Sequence, residues 1–145
     1  MKVFKGVNGD RIVINPTSMA NVKDLRKCFA RELLKQNIDI NNVDSLAELK
    51  KQLTGTVLIS LIKNVLCSLE CSEEFDRVMN KCLLDCTYRN IAITDQLFDD
   101  IVEAREDYDN IRLECIKENL SPFFKKVVGL FKVQEDLTDK NQPQK

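Results

Sequence analysis

The chain contains no histidine and no tryptophan, and its 145 residues include only four glycines, three prolines and two tyrosines. Without histidine it lacks the side chain most often used as general base and metal ligand near neutral pH. So few glycines leave no glycine-rich loop to cradle a phosphate. No nucleophile–base constellation can be assembled from the remaining residues, so an enzyme is not the expected class. An excess of either charge is also missing, since 22 Lys+Arg oppose 23 Asp+Glu for a net −1. That balance gives no electrostatic ground for nucleic-acid binding and no basic amphipathic face for a membrane surface. No apolar run reaches the length of a bilayer span. Met1-Lys2-Val3-Phe4-Lys5 leads into glycine and polar residues rather than a signal-peptide core. The expected location is the cytosol, with neither a membrane nor a nucleic-acid partner and no cofactor.

What the chain does have is apolar periodicity. From Val57 to Leu69, nine of thirteen residues are apolar and fall on more than one side of a helical wheel, the mark of a buried helix. Lys63 and Asn64 interrupt the run, which is too short to cross a bilayer. The spacing Leu58, Leu61, Ile62, Val65, Leu66, Leu69 favours helix over two strands, and Thr54-Gly55-Thr56 supplies a turn and a cap before it. This segment is the expected central helix of one ordinary domain spanning 1–132. That domain is read as mainly α, with five to six helices and a small β-hairpin or short sheet near the N-terminus.

Within that domain, residues 1–15 form the hairpin: Lys2–Phe4 and Arg11–Ile14 as strands, turned by Asn8-Gly9. Residues 16–132 are the helical part. A first helix capped by Thr17 or Ser18 runs to about Lys35 on Val22, Leu25, Phe29 and Leu33. A second opens with the capping box Ser45-Leu46-Ala47-Glu48. After the central helix, Ser72 caps another whose acidic first turn suits the helix dipole. This helix is expected to continue through Cys86 toward Tyr88-Arg89-Asn90. Ile91-Ala92-Ile93 reads as a short strand that pairs with Arg11–Ile14. Thr94-Asp95 caps a short helix, and the last long helix begins around Val102–Glu106. Pro122 breaks it. Beyond Gln134 the composition turns polar, so 133–145 is expected to be a tail.

Six cysteines stand at 28, 67, 71, 82, 86 and 115, four of them as two Cys-x-x-x-Cys pairs. Twin helical disulfides, a four-cysteine metal site and free thiols acting as small apolar side chains are the competing readings. Helical spacing and a reducing compartment favour the last.

Ser72-Glu73-Glu74-Phe75, Lys81-Cys82-Leu83-Leu84-Asp85-Cys86-Thr87-Tyr88, Ile93-Thr94, Phe98-Asp99-Asp100, Glu103-Ala104-Arg105-Glu106-Asp107-Tyr108 and Asn119-Leu120-Ser121-Pro122-Phe123-Phe124 occur in an order that resembles the tail assembly chaperones of long-tailed bacteriophages. The resemblance covers about 70–124, and the strand–helix opening at 12–34 more loosely. Where that family often has a glycine in the turn after the cysteine-containing helix, this chain has Asn90-Ile91-Ala92. The resemblance implies a small helical protein without catalysis, made in the host cytoplasm and absent from the mature virion. It would bind the tape measure protein, keep it soluble, help recruit tail tube subunits and self-associate into multimers. It also implies a longer, frameshifted form in many members.

The residues alone offer a partner-binding surface at Phe123, Phe124, Val127, Leu130 and Phe131, with packing on the central helix as the competing role. Asp99, Asp100, Glu103, Glu106 and Asp107 could meet a basic partner or form a solvated face. Two other classes fit the same composition. One is a small phage-encoded adaptor or inhibitor of a host protein. The other is a metal-dependent regulator using the paired cysteines.

Overall fold

The computed structural model describes residues 1–35, 64–65 and 67–121. They show a mainly helical protein carrying a small four-stranded sheet. The chain divides into two compact units: 1–26 with 73–121, and 27–72 with 122–145.

In the first unit, β1 (Lys2–Lys5) and β2 (Arg11–Ile14) form the expected hairpin. The sheet continues through β3 (Thr87–Tyr88) to β4 (Ile91–Ala92) in the order β1-β2-β3-β4, all antiparallel. Phe4, Ile12, Tyr88 and Ile91 stand in register on one face, and Val3, Val13, Thr87 and Ala92 on the other. Ile12, Ile14 and Tyr88 are completely buried. The isoleucines are two residues apart, so the strand's alternation sends both to the core face.

The sequence expectation for this region needs two corrections. The helix α2 (Glu73–Leu83) stops before Cys86, and β4 pairs with β3 rather than directly with β2. The reason is local. Asp85 N and Cys86 N donate to the carbonyls of Cys82 and Leu83, tightening the last turn into three-residue steps. Thr87 and Tyr88, both strand formers, then find partners on β2.

α1 (Met19–Lys35) begins as its sequence predicts, with Ser18 Oγ accepting from Asn21 N at 3.3 Å. α2 has acids in its first turn and buries Phe75, Val78, Met79, Cys82 and Leu83, one stripe at three- and four-residue steps. Thr94 caps α3 (Asp95–Asp100) by accepting from Leu97 N at 3.3 Å. A 3₁₀ turn at Val102–Asp107 follows and leads into α4 (108–121), so the expected start of the last long helix falls on the 3₁₀ segment. Ile111, Cys115, Ile116 and Leu120 are buried on α4.

Of the second unit, residues 27–35 of α1 bury Cys28, Phe29 and Leu33. Residues 64–65 and 67–70 are helical, with Val65 and Leu69 buried and Asn64, Cys67 and Glu70 exposed. Most of the expected central helix, the helix opened by Ser45, and everything from Pro122 onward lie outside the described residues.

Candidate functional site

The apolar surface nominated from sequence (Phe123, Phe124, Val127, Leu130 and Phe131) lies outside the described residues. What can be built from the residues upward is the acidic segment 95–109 and the elements it touches, all in the first unit. Asp95, Asp99, Asp100, Glu103, Glu106 and Asp109 are exposed, whereas Asp107 is 2 % exposed. Asp107 therefore does not belong to the solvated acidic face on which its sequence places it.

Asp107 Oδ1 accepts a hydrogen bond from Val7 N at 2.9 Å, across a sequence separation of 100 residues. Its second oxygen faces Gly6, where an added Cβ would lie 2.3 Å from Oδ2. The carboxylate thus sits on the β1–β2 turn, and only glycine lets the backbone approach it so closely. Glu103 holds the same turn, its carbonyl accepting from Asn8 Nδ2 at 3.5 Å.

The neighbouring turn is held by charge. Arg89 Nε donates to Asp10 Oδ1 at 2.6 Å, and its Nη2 donates to Asp10 Oδ2 at 3.0 Å and Glu103 Oε1 at 3.2 Å. Tyr88 Oη donates to Asp10 Oδ2 at 2.7 Å. The hydrogen bonds from Arg89 and then Tyr88 hold the Asp10 carboxyl below the usual carboxylate range. Burial, with its hydrogen bond to Asp10, pushes the Tyr88 phenol up to about 12.

Arg112 is 6 % exposed and fixes α2 to α4. Its guanidinium carbon lies 5.0 Å from the Phe75 ring centre and 5.2 Å from that of Tyr108. Nη1 donates to Tyr108 Oη and Nη2 to Asp76 Oδ1, each at 3.1 Å. Phe98 closes the stack edge-on against Tyr108, at 5.2 Å and 87°. Phe98 is buried and Tyr108 half-buried.

Beside this stack runs an open groove of about 580 Å³ lined by Glu73, Asp76, Arg77, Asn80, Lys81, Leu84, Thr94 and Asp95. A second, of about 460 Å³, is lined by Asp95, Phe98, Asp99, Arg105 and Tyr108. Both rims mix charges of both signs, and neither contains a nucleophile beside a base.

The cysteines separate by environment. Cys67 and Cys71 are exposed, so the expectation of a buried apolar pair is corrected there; Cys28, Cys82, Cys86 and Cys115 are buried. No disulfide joins any of the six. Among the described residues, no group of three or more Cys, Asp or Glu is placed to hold a metal ion.

The functional residues that sequence reasoning missed are Asp107 as a turn anchor, the Asp10–Tyr88–Arg89 cluster and Arg112. A glycine two positions before Asn8-Gly9 was the one available signal for the first. The other two depend on pairings that no local spacing encodes.

The fold and its sites define a small helical module, built on a four-stranded sheet, whose notable side chains hold its own elements together. The family model for "phage tail assembly chaperone protein, TAC" matches residues 29–132, and the chain belongs to that family. No curated protein and no solved structure matches it. No helix among the described residues is long and apolar enough to cross a membrane.

Proposed function

We propose that this chain binds the tape measure protein during tail assembly, keeps it soluble before the tail tube grows around it, and helps recruit tube subunits. The family match over 29–132 carries this reading. The client contact is assigned to Phe123, Phe124, Val127, Leu130 and Phe131, five large or branched apolar residues within nine positions. Apolar anchors at such spacing suit a helical client. The chain acts in the host cytoplasm, without catalysis, and is left out of the finished virion. Self-association into multimers accompanies this role. Residues 1–132 serve as the working domain and 133–145 as a polar tail.

Co-expression with the cognate tape measure protein tests the reading. The expected result is a higher soluble yield of the tape measure protein and a co-purifying complex. Because apolar contacts are insensitive to screening, that complex should survive roughly half-molar salt. Replacing Phe123 and Phe131 with serine, in protein shown to fold, should weaken the complex more than Asp99→Asn with Asp100→Asn. Folded protein that gives no complex would overturn the proposal.

The exposed acids of 95–109 support a second contact mode, in which a basic stretch of the client lies along this face. Loss of the complex at half-molar salt, and in the Asp99/Asp100 variant alone, would select that mode over the apolar one.

A further inference from the structure

β1 is an edge strand, paired with β2 on one side only. That pairing fixes which of its backbone groups face outward. Gly6 N donates to the Asp10 carbonyl at 2.8 Å, continuing the register in which Phe4 stands opposite Ile12 and Lys2 opposite Ile14. Bonded and non-bonded pairs alternate along an antiparallel ladder, so the N–H and C=O groups of Val3 and Lys5 point away from β2. Val3 is 46 % exposed and Lys5 is exposed. Among the described residues no strand pairs with this side of β1. The next outward donor, Val7 N, is already taken by Asp107 Oδ1. The open edge therefore ends at Asp107 and offers two bonding residues.

We propose that this edge pairs with the same edge of a second copy, β1 against β1 in antiparallel sense, about a two-fold axis at Phe4. The pairing names a surface for the self-association proposed above and rests on that reading. The sequence of β1 selects the register. Val3 of one copy stands opposite Lys5 of the other, and both pairs exchange N–H and C=O, giving four main-chain hydrogen bonds in all. Shifting one strand by two residues sets Lys5 against Lys5, a like-charge pair, and Val3 against Val7, whose N–H is occupied. The opposite shift sets Lys5 against Met1, whose ammonium is held by Glu118.

Side chains agree with that register. Phe4 meets Phe4 at a non-bonded position, where opposed side chains lie closest. Phe4 is half-buried at the end of the row Phe4, Ile12, Tyr88, Ile91, and the pairing continues this row across eight strands. Charge is complementary as well. Lys2 of one copy stands opposite Gly6 of the other, where the Asp107 carboxylate occupies the place of a side chain. Asp107 Oδ2 is buried and has no hydrogen-bond partner among the described residues, so a cation arrives where an acceptor lacks a donor. The two Lys5 side chains sit diagonally, roughly 7–8 Å apart, and repel mildly at the centre. Two strands of four residues cover less than the roughly 1,200 Å² of a stable interface, so the dimer is reversible and set by concentration.

The test is sedimentation velocity of the full chain from micromolar to millimolar concentration, with amide hydrogen exchange followed by NMR at both ends of that range. The expected result is a monomer–dimer equilibrium in which the Val3 and Lys5 amides are protected only in the dimer, and the Phe4 amide in both states. Val3→Pro removes an outward donor and no β1–β2 bond, so the variant should fold and raise the dissociation constant roughly tenfold or more. Lys5→Thr removes the central repulsion and should lower it. A chain that stays monomeric throughout would overturn both this interface and the self-association. Oligomers that form equally well with folded Val3→Pro would overturn the interface and leave the self-association standing. So would Val3 and Lys5 amides whose exchange ignores concentration, a result that decides the matter on the unaltered chain if Val3→Pro does not fold. Protection of those amides only on adding the tape measure protein would give the edge to the client and overturn the proposal as well.

Discussion

The sheet contains two hairpin turns that reach left-handed backbone by different means. Between β1 and β2 the residue at positive φ is Gly9, at 82°, with open space around it. Between β3 and β4 the residues are Arg89 at 51° and Asn90 at 64°, the paired positive values of a type I′ turn. Glycine adopts such angles freely, asparagine with modest cost and arginine with more. The second turn is therefore maintained from outside, through the grip of Asp10 and Glu103 on the Arg89 side chain. The first turn is limited by angle at Gly9 and by proximity at Gly6, which lies against the Asp107 carboxylate. One turn depends on the absence of a side chain and the other on the presence of one.

The largest effect is expected at the crowded turn. Gly6→Ala forces a methyl into Asp107 and should cost about 1–3 kcal/mol of stability, read by denaturant unfolding. Asp107→Ala alone leaves Val7 N without its acceptor and should cost about 1–2 kcal/mol. Combined, the two changes should cost less than their sum, because the truncated side chain no longer meets the new methyl. Strict additivity would show that the contact is not what requires glycine.

At the other turn, Arg89→Ala is expected to destabilise more than Arg89→Gly, since glycine restores the backbone freedom while both lose the ion pair. Equal losses would mean that the angle carries no cost.

A smaller effect should appear in the pH dependence. Asp10 has a depressed pKa in the folded state, so its contribution is complete above the ordinary carboxylate range and fades as pH falls through the depressed value. Asp10→Asn should flatten that part of the acid limb of a stability–pH curve. Tyr88 shifts the other way. Its contribution is complete below pH 10 and is lost as pH rises through about 12. In a Tyr108→Phe background, phenolate absorbance should therefore emerge near pH 12; emergence near pH 10 would remove Tyr88 from the buried cluster. The smallest change is Asn90→Gly, a gain under about 1 kcal/mol if asparagine carries residual strain there. A loss would show that the Asn90 side chain helps hold the turn.

Sequence showed these two turns unequally. Asn8-Gly9 between alternating apolar residues is a local signal, and β1 and β2 stand where it places them. Half of the second hairpin was legible, since Ile91-Ala92-Ile93 reads as a strand; its partner Thr87–Tyr88 is two residues long, too short for alternation to register. Cys82 and Cys86 at helical spacing also invited the continuation of α2 across the turn. The helix caps at Ser18 and Thr94 were legible for the same reason as Asn8-Gly9, since a cap is set by a few adjacent residues. Asp107 was misread because its neighbours Glu103 and Glu106 are exposed acids. Only the 3₁₀ turn rotates it inward, and only the fold brings Gly6 beneath it.

The bonds Met1–Glu118, Val7–Asp107 and Thr17–Asn119 join opposite ends of the first unit. On the ribosome, where the N-terminus emerges first, β1 and β2 must wait for β3 and for α4 before the sheet and its turn are complete. A chain that stops short of Asn119 should therefore lose the anchorage of its earliest-made strands. Synthesis of α4 thus acts as a completion check on the first hairpin.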